Sequence, residues 1–180
     1  MSPPTPAVVA AFGGDSTAVV RLAGGEGRSW RAGPVVLKPA AQEQLVRWVG
    51  EFVGALQLDQ RLRVAGPVFA ADGRWIVDGW AATAWVEGEH VSGAWDRILD
   101  VSADFHAAAA ATGIGPSATL TSRDDPWAVG DRVAWAEQEA AHEWPDAVRR
   151  LLERLAPLVS SSATEMGRQV VHGDLCTNVL

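Results

Sequence analysis

Two short stretches hold the residue types that do chemistry. The first is "VVHGDLCTNVL", residues 170–180, which sets His172, Asp174 and Asn178 at close spacing. A carboxylate can accept or steer a hydroxyl proton, and an amide carbonyl is a hard oxygen ligand for a divalent cation. The two serve one centre only if a turn-like loop brings them together, and the spacing of Asp174 and Asn178 allows that. The plainer reading is a hairpin turn, since Gly-Asp and Thr-Asn are ordinary turn pairs. The second stretch is "GPVVLKPA", which carries Lys38, the chain's only lysine. Either drift has left one lysine in an arginine-rich chain, or this position needs a compact ammonium that a planar guanidinium does not replace.

A third stretch, "AGGEGRSW", places Gly24, Gly25 and Gly27 just before the Lys38 stretch. It lacks the third glycine of a dinucleotide fingerprint, and a strand follows it where that fingerprint needs a helix. The Lys-Ser/Thr pair of a Walker loop is also missing. What remains is a Gly-rich hairpin. It is either a plain turn or a turn whose amides can lie over phosphates.

The surrounding elements must position these residues. A short helical segment is expected around Thr5 to Phe12. Three strands follow, roughly Ala18–Leu22, Ser29–Ala32 and Val35–Lys38, with Gly33-Pro34 marking the second turn. In "AAQEQLVRWVGEFVGALQ" the residues Leu45, Trp48, Val49, Phe52 and Leu56 share one helical face. Two or three more strands are expected up to residue 86, with turns at Asp72-Gly73 and Asp78-Gly79. Beyond them the chain turns helical. Trp95, Ile98, Leu99, Ser102 and Phe105 form one stripe. Asp125 and Pro126 are placed as N-cap and first helical residue, and a further helix follows Pro145. "SSSAT" is expected to be a polar loop.

Composition narrows the function. The chain has 180 residues, 48% hydrophobic and 21% charged, with a net charge of -7. This is a globular composition. The acidic balance argues against nucleic-acid partners and anionic membrane surfaces, which need basic patches. No run of about 18 apolar residues suits a membrane span. The single cysteine, Cys176, cannot form an internal disulfide, which fits a reducing cytoplasm. It reads as a small filler. His106 reads as a packing or hydrogen-bonding residue and His90 as a loop residue. His142 lacks the second histidine of a zinc motif. The nine tryptophans fit core faces, with no basic groove to make them stacking platforms.

A lysine on the third strand, after a Gly-rich hairpin and before a helix, matches the nucleotide-holding arrangement of protein kinases, where a helix glutamate holds the lysine. Glu43 and Glu51 are the candidates. Glu51, mid-helix and off the apolar stripe, stands about where that partner belongs. With "VVLK", "DGRWIVDGWAATAWVEGE", "DDPWAVGDRVAW" and "HGDLCTNVL", the chain resembles the aminoglycoside phosphotransferase/choline kinase-like family, and within it an actinobacterial subgroup. The resemblance implies an α+β, protein-kinase-like two-lobe fold. Residues 1–86 would form a β-rich nucleotide-binding lobe, and 87–180 part of a helical lobe.

It also implies ATP and Mg²⁺ as cofactors and transfer of the γ-phosphoryl group to the hydroxyl of a small molecule. By position, Asp174 would be the catalytic base, with His172 bracing its loop, and Asn178 a metal ligand. Lys38 would hold the α/β-phosphates with Glu51 as its partner. The turn of Gly24, Gly25 and Gly27 would cover the phosphates, and the backbone of Trp85, Val86 and Glu87 would form the adenine hinge. The spacing of Asp174 and Asn178 is one residue shorter than in most of the family. The family's second metal-binding Asp would fall beyond Leu180, so this length of chain is expected to bind nucleotide weakly and to lack useful activity. A non-catalytic, pseudokinase-like module binding nucleotide or a partner is the alternative. Dimerisation through an exposed C-terminal surface is a further expectation.

Overall fold

The computed structural model describes residues 2–23, 27–40, 42–60, 62–89, 93–135, 137–141, 143–165 and 170. They form two compact units, divided between Ile114 and Gly115. The first opens on helix α1 (Pro6–Ala11), capped where the Thr5 hydroxyl accepts the Val8 amide. Five short strands follow: β1 (Val19–Arg21), β2 (Trp30–Ala32), β3 (Val35–Pro39), β4 (Pro67–Val68) and β5 (Trp80–Ala84), with helix α2 (Glu43–Ala55) between β3 and β4. All pairings are antiparallel and the spatial order is β1-β2-β3-β5-β4. The first three strands thus lie within a residue or two of where turn chemistry and alternation put them, and β4 and β5 are two of the two or three further strands expected. At Asp78-Gly79 both residues take positive φ, 47° and 78°, between the paired Val77 and Trp80. That is the tight hairpin turn whose twist suits flanking strands.

Period-two alternation divides β3 between two faces. Val35 and Leu37 join Val8, Val9, Phe12, Ala32, Ala70, Val77 and Ala82 in the core beneath α1. Val36 and Lys38 lie on the other face, which α2 partly covers. The close approach between α2 and the β4–β5 region is made at Gly50. A methyl group there would lie 2.4 Å from the Trp75 indole, which in turn packs on Phe69 with ring centroids 3.8 Å apart. Alanine normally favours a helix over glycine by about 1 kcal/mol. Here Gly50→Ala is expected to destabilise by about 1–3 kcal/mol instead, because Trp75 must shift. A urea midpoint that rises in this variant would show that Trp75 does not sit there.

Helix α3 (Trp95–Ala111) belongs to the same unit as the sheet. The compact units therefore part after residue 114, whereas composition shifts at residue 86. Within that unit, Phe105 of α3 meets Phe52 of α2 edge-on at 6.5 Å, and Trp48 stacks on Phe52 at 5.4 Å. Only part of the expected α3 stripe is inside. Ile98 and Phe105 are buried, but Trp95 and Leu99 are exposed. His106 meets Ser102 through Nδ1 at 3.2 Å, as a hydrogen-bonding histidine would.

The second unit holds α4 (Ala118–Thr121), α5 (Pro126–Ala134) and α6 (Asp146–Glu165). The Asp125 carboxylate accepts the Trp127 and Ala128 amides, and Pro126 takes the first turn of α5. The Ala128 amide and then Arg123 hold this carboxyl below its ordinary value of 3.8. Helix α6 runs through Pro157 and on to Glu165, so "SSSAT" is helical and not the expected loop. Serine, alanine and threonine carry only a small helix penalty, which a helix already nucleated upstream outweighs. Its Val148, Leu151, Leu155 and Leu158 are exposed. Among the described residues, no helix is long and apolar enough to cross a membrane.

Candidate functional site

The face of the sheet opposite α1 carries the site. Register places Val36 opposite Thr83 and Lys38 opposite Ala81. Directly opposed residues of antiparallel strands share a face, so these four side chains form one surface, which Pro67 of β4 extends. Gln42, Leu45, Val46 and Val49 of α2 and its approach face it, and a cavity of about 380 Å³ lies between. That volume falls within the range of small-molecule pockets, and the lining has their usual character: mostly apolar, with a few polar groups. Those groups are Lys38, Gln42 and Thr83.

Lys38 is exposed at the cavity edge. Among the described residues, no hydrogen bond or ion pair engages it. Neither helix acid reaches it. Glu43 pairs with Arg47 at 3.3 Å, and Glu51 is exposed and does not line the cavity. Helical periodicity is the reason: the face turned to the sheet is 42–45–46–49, and Glu51 falls off it. Among the described residues, the ammonium thus stands at an apolar opening without a compensating carboxylate, an arrangement suited to an anionic ligand.

The segment after β5 is tied to the sheet by several contacts. The Trp85 amide donates to the Pro34 carbonyl at 2.8 Å, and the Trp85 indole donates to Glu87 Oε1 at 2.6 Å. Arg31 donates to the same oxygen at 2.9 Å, with its guanidinium carbon 4.1 Å from the centroid of the Trp85 ring. Sequence reasoning singled out Trp85, Val86 and Glu87 but missed Arg31. A bare arginine in a three-residue strand carries no local signal. Its role comes from a partner 56 residues away.

Of the glycine turn, Gly27 is described. It takes φ +62° and its carbonyl accepts from Arg21 Nε at 2.8 Å. Gly24 and Gly25 lie outside the described residues, as do His172, Asp174, Asn178 and Cys176. Among the described residues there is no cluster of three His, Cys, Asp or Glu that could hold a metal.

No family model matches the chain, and no curated protein matches it. Among solved structures, the chain is similar to an aminoglycoside phosphotransferase from Alicyclobacillus acidocaldarius, with 19% identity and a TM-score of 0.44. The match covers 92% of this chain and 53% of that one, so the chain spans about half the length of that protein.

Proposed function

We propose that the chain is a kinase-like phosphotransferase that binds ATP on the α2 face of its sheet and passes the γ-phosphoryl group to a small-molecule hydroxyl. One observation carries this reading: the chain's only lysine, its side chain without a partner among the described residues, stands at the edge of an apolar cavity on the third strand of a five-stranded antiparallel sheet. A base would lie against Val36 and Thr83, near the backbone of Trp85–Glu87, with the phosphates at Lys38. Charge supports it. Residues 18–40 carry four cations, Arg21, Arg28, Arg31 and Lys38, against one acid, Glu26, in a chain that is otherwise strongly acidic.

The residues present fit a nucleotide on these grounds of shape and charge. When bound, ATP would supply the transferable phosphoryl group. Lys38 would hold phosphate oxygens as a point charge, and the apolar walls would exclude water from the base. Mg²⁺ would depend on Asn178, and steering of the acceptor hydroxyl on Asp174 with His172 bracing it. These three roles rest on the motif alone.

The single lysine makes the test simple. A fluorosulfonylbenzoyl adenosine, whose sulfonyl fluoride forms a sulfonamide with an amine placed where phosphates would lie and releases fluoride, is expected to modify Lys38 saturably, with ATP protecting it. Peptide mapping separates this adduct from one at the N-terminal amine. Modification that is non-saturable, or that ATP does not prevent, would sink the proposal. A second reading, a module that binds nucleotide without turnover, draws on the absence of any carboxylate beside Lys38 among the described residues.

A further inference from the structure

The strand pairings place Val20, Arg31, Val36, Thr83 and Pro67 in one row across all five strands. Opposed residues share a face, and Lys38 lies two residues beyond Val36 on that same face. Arg31 therefore shares the face to which the base is assigned and stands directly beside Val36, at the border of the cavity and not in its lining. It is the one charged side chain in a row otherwise made of valines, a threonine and a proline.

Its side chain is not left to solvent. Nε donates to the Gly33 carbonyl at 3.2 Å and Nη2 to Glu87 Oε1 at 2.9 Å, and the guanidinium lies over the Trp85 ring at 4.1 Å. One face of Trp85 is thus covered, and the indole is itself tied to Glu87. A flat ring that lies on Val36 and extends toward Trp85 and Glu87 would meet the guanidinium.

We propose that Arg31 is a displaceable cover over the base position, held closed by Glu87 and Trp85, which a nucleotide must lift in order to bind. This rests on the nucleotide reading above. The closed state is a weak one. The side chains of Arg31 and Glu87 are 37% and 77% exposed, and ion pairs that open to water hold little. A cation–π contact at an exposed site adds a comparable amount. Together these reduce apparent affinity by about 3- to 30-fold relative to an uncovered site, since a closed population lowers affinity by the fraction that is open. The device would make binding sensitive to whatever else competes for Glu87.

The test uses the full chain and the neutral adenosine sulfonyl fluoride, so that loss of a cation does not alter attraction to phosphate. Arg31→Met and Glu87→Gln are compared with the parent chain, following the concentration that half-saturates modification of Lys38. Arg31→Met is expected to lower it about 3- to 30-fold, and Glu87→Gln, which removes the ion pair but leaves the contact of Arg31 with Trp85, about 2- to 5-fold. Glu87→Gln changes an exposed side chain, so it tests the cover even if Arg31→Met folds poorly. Saturable modification of all three chains at equal or higher concentrations in the variants overturns the cover alone, and a rise in both would make Arg31 a base-binding residue. Absence of saturable modification in all three overturns the nucleotide reading and the cover with it.

Discussion

Replacing Lys38 by methionine is expected to weaken ATP binding about 10- to 100-fold. A hydrogen bond between charged partners contributes about 1.5–3 kcal/mol, and each 1.4 kcal/mol is tenfold in affinity. Methionine keeps an unbranched stem along the cavity wall, so the loss reports the charge and not the packing. Lys38→Arg is expected to recover only part of the affinity, because a planar fork does not present a compact charge from this short strand. Displacement of a fluorescent nucleotide measures both. Affinity within twofold of the parent in Lys38→Met would remove Lys38 from the site. Because Lys38 is exposed, neither variant should change the urea midpoint appreciably, which separates a binding defect from an unfolding one.

Leu37→Ala should do the reverse. Leu37 is 0% exposed and lies between Trp30 of β2 and Ala82 of β5 in the pairing of β3. Truncating a leucine so enclosed costs about 2–5 kcal/mol, through lost transfer energy and the cavity left behind. Domains of this size are stable by only about 5–15 kcal/mol. The variant is therefore expected to lose a substantial share of the stability of its unit, at least about an eighth, and to unfold at lower urea. A loss below about 1 kcal/mol would show that the sheet does not close on α1 as described. The contrast between adjacent residues is the sharper result: one is expected to govern binding and its neighbour folding, because a strand turns successive side chains to opposite faces.

Much of the first unit was legible in the sequence. The strands around Val20, Arg31 and Val36 were marked by Gly33-Pro34 and by alternation. Asp78-Gly79 was readable because few residue pairs tolerate two positive φ angles in succession. Asp125-Pro126 was readable because an acceptor side chain followed by a residue without an amide hydrogen suits a helix start. Legibility failed where the deciding contact was distant or the local preference weak. Glu51 looked well placed mid-helix, but Gln42, Leu45, Val46 and Val49 line the cavity, and Glu51 is exposed and off that face. "SSSAT" reads as a loop by composition, yet α6 carries through it.

The sequence by itself determined the residue types available for chemistry and the local elements that carry them: one lysine on a third strand, a glycine-rich hairpin before it, and an acid–amide pair at Asp174 and Asn178. These follow from short-range rules of turn conformation, capping and periodicity, which act over a few residues. The tertiary structure alone decided which groups meet. It joined α3 to α2 through Phe105 and Phe52, left Lys38 without a carboxylate among the described residues, and brought Arg31 onto Trp85 and Glu87. Those outcomes depend on how helices and strands pack, and packing is settled by shape and burial summed over the whole unit, which no short window of residues contains.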